Sequence, residues 1–226
     1  MQPLRTATGW SAAAALLALS GLAAAGFAQS PPPPGGPPGG PPLGPPPAMS
    51  PPPVPAGPVT YIIDPNHTYP TFEADHHGVS TWIGKFNRTS GTVVLDRTAK
   101  TGTVDIVVEI GSINFGHEKM NAHAMSADMF DVATFPTATY KGRFSKFNGD
   151  VPTEVQGDLS LHGVTRPVTL VINRFACRPG MGGVLTCGGD ASTSFNRADF
   201  GIAFGVAGGF DPLTHLLIQV EAAQQH

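Results

Sequence analysis

Charge, cysteine and long apolar runs are all scarce in this 226-residue chain. Asp, Glu, Lys and Arg make up 13% of it and leave a net charge of −3, against about 25% charged residues in an average soluble domain. No block of Lys and Arg occurs. That argues against a nucleic-acid binder and against a polybasic membrane anchor. The longest apolar run, Ala12 to Ala25, is shorter than the ~20 residues a spanning helix requires.

Catalytic motifs are missing as well. His117-Glu118 is followed by Lys119, Met120 and Asn121, so the pair does not open an HExxH zinc motif. There is no G-x-S-x-G, and the glycines of GGPPGG sit among prolines rather than in a strand-to-helix turn. His76 and His77 are adjacent in a β-patterned segment and so point to opposite faces. His117 and His123 are six apart, ~240° around a helix, and one face does not present both. The chain is therefore read as a non-enzyme, with no catalytic residue and no metal ligand assigned.

The N-terminal region carries an address. Arg5, the apolar run, and the small residues Gly26 and Ala28 have the order of a secretory signal peptide over residues 1–28. The expected location of the mature chain is periplasmic or secreted. Residues 29–58 hold most of the 24 prolines, interleaved with glycine. They read as an extended, disordered linker with too few apolar side chains for a core. Residues 59–226 are about one domain long. Cys177 and Cys187 bracket RPGMGGVLT. In an exported chain that arrangement predicts a disulfide clamping a hairpin.

Period-two alternation dominates that domain. In TVDIVVEI, Val104, Ile106, Val108 and Ile110 form one apolar face while Thr103, Asp105 and Glu109 mark the wet one. His67 to His77 places Phe72, Ala74 and His76 on a common face, and Pro70 puts the start of that strand at an edge or bulge. TATYKGRFSKF aligns Tyr140, Gly142 and Phe144, and VQGDLSLHG aligns Val155, Leu159 and Leu161. About eight strands with closely spaced turn signals and no βαβ rhythm predict an all-β, eight-stranded antiparallel barrel. The interior of such a barrel is filled by side chains or holds one slender ligand.

The one long break in the pattern is Ser112 to Pro136, rich in Met, Phe and small residues. It is expected to form one or two short helices folded over the barrel mouth. Met120, His123 and Met125 could there form a copper-type thioether and imidazole set. Flexible methionines lining an apolar pocket are the preferred reading, since no Cys accompanies them.

Longer motifs point further. YIIDPNHT from Tyr61, FEADHHG from Phe72 and GKF ending at Phe86 open the match. SIN from Ser112, His117, HAMSADMFDVATFP from His123, GDLSLHGVTRPV from Gly157 and RADFG from Arg197 continue it. Together they resemble the YceI-like polyisoprenoid-binding family over Val59 to Ala223. The resemblance implies a lipocalin-like barrel whose channel holds a long isoprenoid lipid or quinone as ligand, with no other cofactor and no nucleic acid. Transient contact with a membrane or membrane protein goes with such a role. Relatives often carry Arg and Asp where this chain has Met120 and Asn121, and Arg where it has Met125. That departure favours a neutral, quinone-like head.

The ligand-binding candidates are Phe72, His76, Trp82 and Phe86 from the first strands. Phe115, Met120, His123, Met125, Phe130 and Phe135 come from the central break, and Tyr140 and Phe144 from the strand that follows.

Overall fold

The alternating segments become antiparallel strands with their apolar faces on one shared interior. A computed structural model describes residues 52–225; the expected signal peptide and all but the last residues of the linker lie outside them. In chain order the strands are β1 (Val59–Ile63), β2 (Tyr69–His76), β3 (Ser80–Phe86), β4 (Thr89–Asp96), β5 (Thr101–Glu109) and β6 (Ile113–Asn114). Helix α1 (Glu118–Met125) follows, then β7 (Thr137–Asn148), β8 (Val151–Leu161), β9 (Val164–Pro179), β10 (Leu185–Asn196) and β11 (Leu213–Gln224).

Eight of these strands close a ring in the order β1-β4-β5-β7-β8-β9-β10-β11, with β11 returning to β1. Closure leaves the ring without a free edge. The expected eight-stranded antiparallel barrel is the one observed. The other three strands prolong ring strands upward. β11 pairs with β1 through Tyr61↔Gln224 and, higher up, with β2 through Leu217↔Thr71. β3 likewise continues β4, and β6 continues β5. Three strands of the barrel are thus interrupted at one level.

Side chains close each interruption, as buried backbone polar groups require. At the β1–β2 break the Asp64 carboxylate accepts from the Asn66 amide at 2.8 Å, an Asx-type turn. Thr68 is buried beside Glu221 of β11, and their groups bond each other. At the other two breaks Ser112 serves both sides. Its hydroxyl accepts from the Arg88 amide at 3.0 Å and donates to the Glu109 carbonyl at 2.6 Å. Pro70 lies just past the first break and beyond the last β2–β3 register pair, Thr71↔Lys85. Its missing amide costs no rung of that ladder.

The upper half of the barrel is parted along two lines. β6 is followed by residues 115–136, including α1, instead of pairing with β7. β9 and β10 have no register pair above Val171↔Ser192, and the turn Arg197–Phe200 covers that seam. Phe200 and Ile202 are nearly fully buried there; burial of such side chains is worth about 1.5–3 kcal/mol each. His162-Gly163 joins β8 to β9, with φ of 51° and 75°. Positive φ at both positions is what a two-residue hairpin turn of the primed kind needs.

Helix α1 is about two turns long, and its N-cap is His117, whose Nδ1 accepts from the Met120 amide at 3.3 Å. It is the α-helix of the expected mouth; the remaining helical elements among the described residues are short 3-10 turns. No helix among them is long and apolar enough to cross a membrane. Below, Cys177 and Cys187 face each other in the β9–β10 register and are joined by a disulfide, Cα atoms 4.0 Å apart.

Candidate functional site

The inward faces enclose two chambers along the barrel axis. The upper has a volume of about 380 Å³ and the lower about 200 Å³. Both are lined by Pro70, Val108, Leu159 and Leu216, which form a waist between them. Pro70 is the residue that follows the first strand break, so the waist lies at the level where the barrel strands are interrupted.

The structure gathers eight of the twelve expected ligand-binding residues on the upper chamber: Phe72, His76, Trp82, Phe86, Phe115, Met120, His123 and Phe130. Tyr140 and Phe144 line the lower one. Met125 and Phe135 line neither chamber. Met125 is the last residue of α1 and packs into the core behind the chamber. Phe135 instead packs against His162 at 4.5 Å between ring centroids. Met120, His123 and Met125 are therefore not assembled on one wall. Nor is any group of three or more His, Cys, Asp or Glu among the described residues placed to hold a metal ion.

Aromatic contacts set the shape of the upper chamber. Phe72 meets Phe115 edge to face at 5.5 Å and Phe86 at 5.6 Å, and Phe86 meets Phe130 at 5.9 Å. Gly84 makes room for this cluster, since a Cβ there would lie 2.5 Å from the Phe72 ring. At the rim His76 stacks on Trp82 at 4.8 Å, and Phe210 meets His76 edge-on at 5.5 Å. Phe204 covers His123 in the same manner at 4.8 Å.

Sequence reasoning missed several wall residues, chiefly Met129, Arg197, Ile202, Phe204 and Phe210. Four of them belong to the segment that runs from RADFG to the Asp211-Pro212 turn, where scattered glycines hide any period. Arg197 is the important one. Its guanidinium donates to the Ile202 carbonyl at 2.7 Å and to the Phe204 carbonyl at 2.9 Å. Burial pushes its pKa down, while the charge of Asp211 opposes that shift. A guanidinium nonetheless stays protonated in proteins. Two of its N–H groups serve those carbonyls, and an arginine has five. Asp75 also borders this chamber, its two carboxylate oxygens each accepting from the Gly78 amide at 2.9 Å.

The lower chamber is more uniformly apolar. The Tyr140 hydroxyl points into protein, donating to the Val168 carbonyl at 2.9 Å, and burial raises its pKa. Gly142 leaves room beside that ring, since a Cβ there would lie 3.2 Å from it. Val104, Ile106, Leu170 and Ile172 complete the wall with Phe144. The two chambers form an apolar bore, with Asp75, His76, His123 and Arg197 bordering its upper end.

A closed antiparallel barrel with an axial apolar cavity defines a ligand-binding barrel of the lipocalin-like kind. More narrowly, the chain belongs to the YceI-like domain family, whose model matches residues 61–222. A UPF0312 protein of Vibrio vulnificus is 32% identical over 153 residues, covering 66% of this chain and 81% of that protein. Protein YceI of Salmonella arizonae is 30% identical over 160 residues, covering 70% of this chain and 83% of its own. Among solved structures, a polyisoprenoid binding domain from Saccharophagus degradans superposes with a TM-score of 0.55 at 15% identity. That match covers 74% of this chain and 99% of the other, and it shows a shared fold.

Proposed function

We propose that this protein is an exported, periplasmic or secreted, carrier of a long-chain isoprenoid lipid with a neutral, quinone-like head. One observation carries the reading. Asp75, His76, His123 and Arg197 all border the upper chamber, whereas the lower chamber is walled largely by aliphatic and aromatic side chains. That polarity gradient fits an amphiphile lying along the axis, head at the mouth and tail through the waist. The Saccharophagus domain, described as polyisoprenoid binding, lends the ligand class its support.

The tail supplies the affinity. Burial of roughly 400 Å² of apolar surface gains ~10 kcal/mol at ~25 cal/mol per Å², before the cost of ordering chain and ligand. Arg197 provides a cation that the central break lacks, yet Asp75 and Asp211 stand near the same mouth. A pyrophosphate would meet one positive group and two negative ones. A carbonyl or hydroxyl head asks only for a donor, which Arg197 or His123 supplies without a charged ligand to desolvate.

Mass spectrometry of a solvent extract of the natively purified protein is the test. The expected finding is an isoprenoid quinone or prenyl alcohol. A bound pyrophosphate overturns the neutral head, and an extract without isoprenoid overturns the carrier reading.

A further inference from the structure

A charged side chain crosses the lower end of the bore. Arg97 follows the end of β4, and in the ring β4 and β9 lie four places apart in either direction. Its guanidinium nevertheless lies 5.4 Å from the centroid of the Phe175 ring on β9, with Nη1 3.9 Å from the Cys177 Sγ. The side chain therefore reaches from one wall to the opposite one. The turn between β7 and β8 holds it there: Nε donates to the Asp150 carbonyl at 3.2 Å, and Nη2 donates to the Asp150 carboxylate. Only 13% of the Arg97 side chain is exposed.

Phe175 stands between that guanidinium and the cavity. It lines the lower chamber, whereas Arg97 does not, and it packs against the buried cluster of Tyr61, Ile63 and Leu95. A cation within ~6 Å of an aromatic centroid is attracted to the ring, so Arg97 braces Phe175 from below. The room above this floor is finite. An apolar cavity of ~150 Å³ admits one six-carbon ring. By that measure chambers of about 380 and 200 Å³ hold on the order of 20 carbons, or about four isoprene units. A longer tail stops at the floor, and its excess stays in water at the mouth.

We infer that Phe175 is a specificity-determining residue for tail length, the floor of a bore that holds on the order of 20 carbons, and that Arg97 is the residue that positions it. This rests on the carrier reading and narrows its substrate class. Selectivity against longer chains arises from apolar carbon left unburied.

The test offers the delipidated mature protein an equimolar mixture of geraniol, geranylgeraniol, pentaprenol, hexaprenol and octaprenol in phosphatidylcholine vesicles. Bound alcohols are read by mass spectrometry, and circular dichroism confirms the fold of each variant. Wild type is expected to favour geranylgeraniol over octaprenol by roughly tenfold or more, because the bilayer buries all of a long tail and the bore only part of it. Phe175→Ala removes one six-carbon ring from the floor and should move the preferred length up by about one isoprene unit, to pentaprenol. Phe175→Leu should shift it less, in the same direction. Arg97→Met keeps bulk but loses the charge and the Asp150 tether; its preference for geranylgeraniol over octaprenol should fall severalfold while the total alcohol bound is unchanged. Equal uptake of geranylgeraniol and octaprenol by wild type overturns the length limit, whatever the variants do. An unchanged preference in the folded Phe175 variants overturns the floor, and one in Arg97→Met overturns the brace. Uptake of none of the alcohols by wild type defeats the carrier reading itself.

Discussion

Thr68 and Glu221 are bonded twice, the Thr68 hydroxyl donating to the Glu221 carbonyl and accepting from its amide, each at 3.2 Å. That side chain, together with the Asp64 amide bonded to the same carbonyl at 2.9 Å, replaces the strand neighbour that β11 lacks between β1 and β2. Thr68→Val leaves the Glu221 amide without that partner, while the carbonyl keeps the Asp64 amide at 2.9 Å, and is expected to cost about 1–3 kcal/mol. Thr68→Ser should cost well under that. Urea denaturation measures both, and a Val variant as stable as wild type would show that the stitch is dispensable.

Phe144 lines the lower chamber and packs on both hydrophobic clusters of the barrel. A carboxylate there has no cation beside it, so Phe144→Asp is expected to abolish lipid retention. His123 sits at the mouth with the edge of Phe204 against it, and His123→Ala should weaken retention less than tenfold, about the loss of one neutral hydrogen bond. Extracted lipid per mole of protein is the readout, with circular dichroism confirming the fold. Full retention by the Asp variant would place the tail elsewhere.

The Cys177–Cys187 disulfide closes a separation of ten residues across β9 and β10. In the chain-entropy picture such a loop contributes ~2–3 kcal/mol. Thiol labelling of unfolded, unreduced protein should find no free cysteine. The double serine variant should unfold at lower denaturant with its lipid still bound, because the bridge borders the channel without blocking it.

His67 Nδ1 lies 2.7 Å from the Asp64 carboxylate on the exposed turn before β2. The hydrogen bond to Asp64, and then its charge, hold the His67 pKa above the ordinary imidazole value; the same bond holds that of Asp64 below the ordinary carboxylate value. The His67 contribution to stability is therefore complete below its unfolded pKa and is lost as pH rises through the higher folded one. The Asp64 contribution is complete above its unfolded pKa and is lost as pH falls through the lower folded one. NMR titration should find the His67 midpoint higher than in Asp64→Asn. Equal midpoints would refute the pairing.

Export has its own check. The order of Arg5, the apolar run and the small residues at Gly26 and Ala28 predicts a mature start near Gln29. Intact-mass measurement on the periplasmic or secreted fraction should find that start, and a chain still beginning at Met1 there would contradict it.

Alternation made the barrel legible. Val104, Ile106 and Val108 face the channel as their spacing requires, and Tyr140 and Phe144 follow on β7. The interruptions were not legible, because Thr68 and Ser112 look like ordinary polar residues until the strands they bridge are placed. Among the candidates, those on strands all border a chamber, whereas two of those in the central break do not. A strand has two faces, and one apolar neighbour identifies the inner one. Over eight helical residues the Met120 and Met125 positions are equally apolar, and only docking decides that Met120 meets the chamber. Arg197 stands in the RADFG stretch, but its place at the mouth depends on the later fold-back of Ile202 and Phe204.

The two parted seams in the upper barrel bear on timing. Below the waist each ring strand pairs with both of its neighbours, with bulges at Phe144–Phe147 and Asp190–Ala191, so widening it there means tearing strand hydrogen bonds. Above it, residues 115–136 and the Arg197–Phe200 turn meet their neighbours chiefly through side chains and a few loop bonds. Spreading the mouth leaves the ladder intact, so in the proposed carrier role loading and release would fall among loop motions, nanoseconds to microseconds in their elementary steps, and not among global unfolding events. The expectation under the proposed role is that lipid exchange stays constant in denaturant concentrations that shift the unfolding equilibrium without reaching its midpoint, the lower ring holding the fold while the mouth sets the exchange rate.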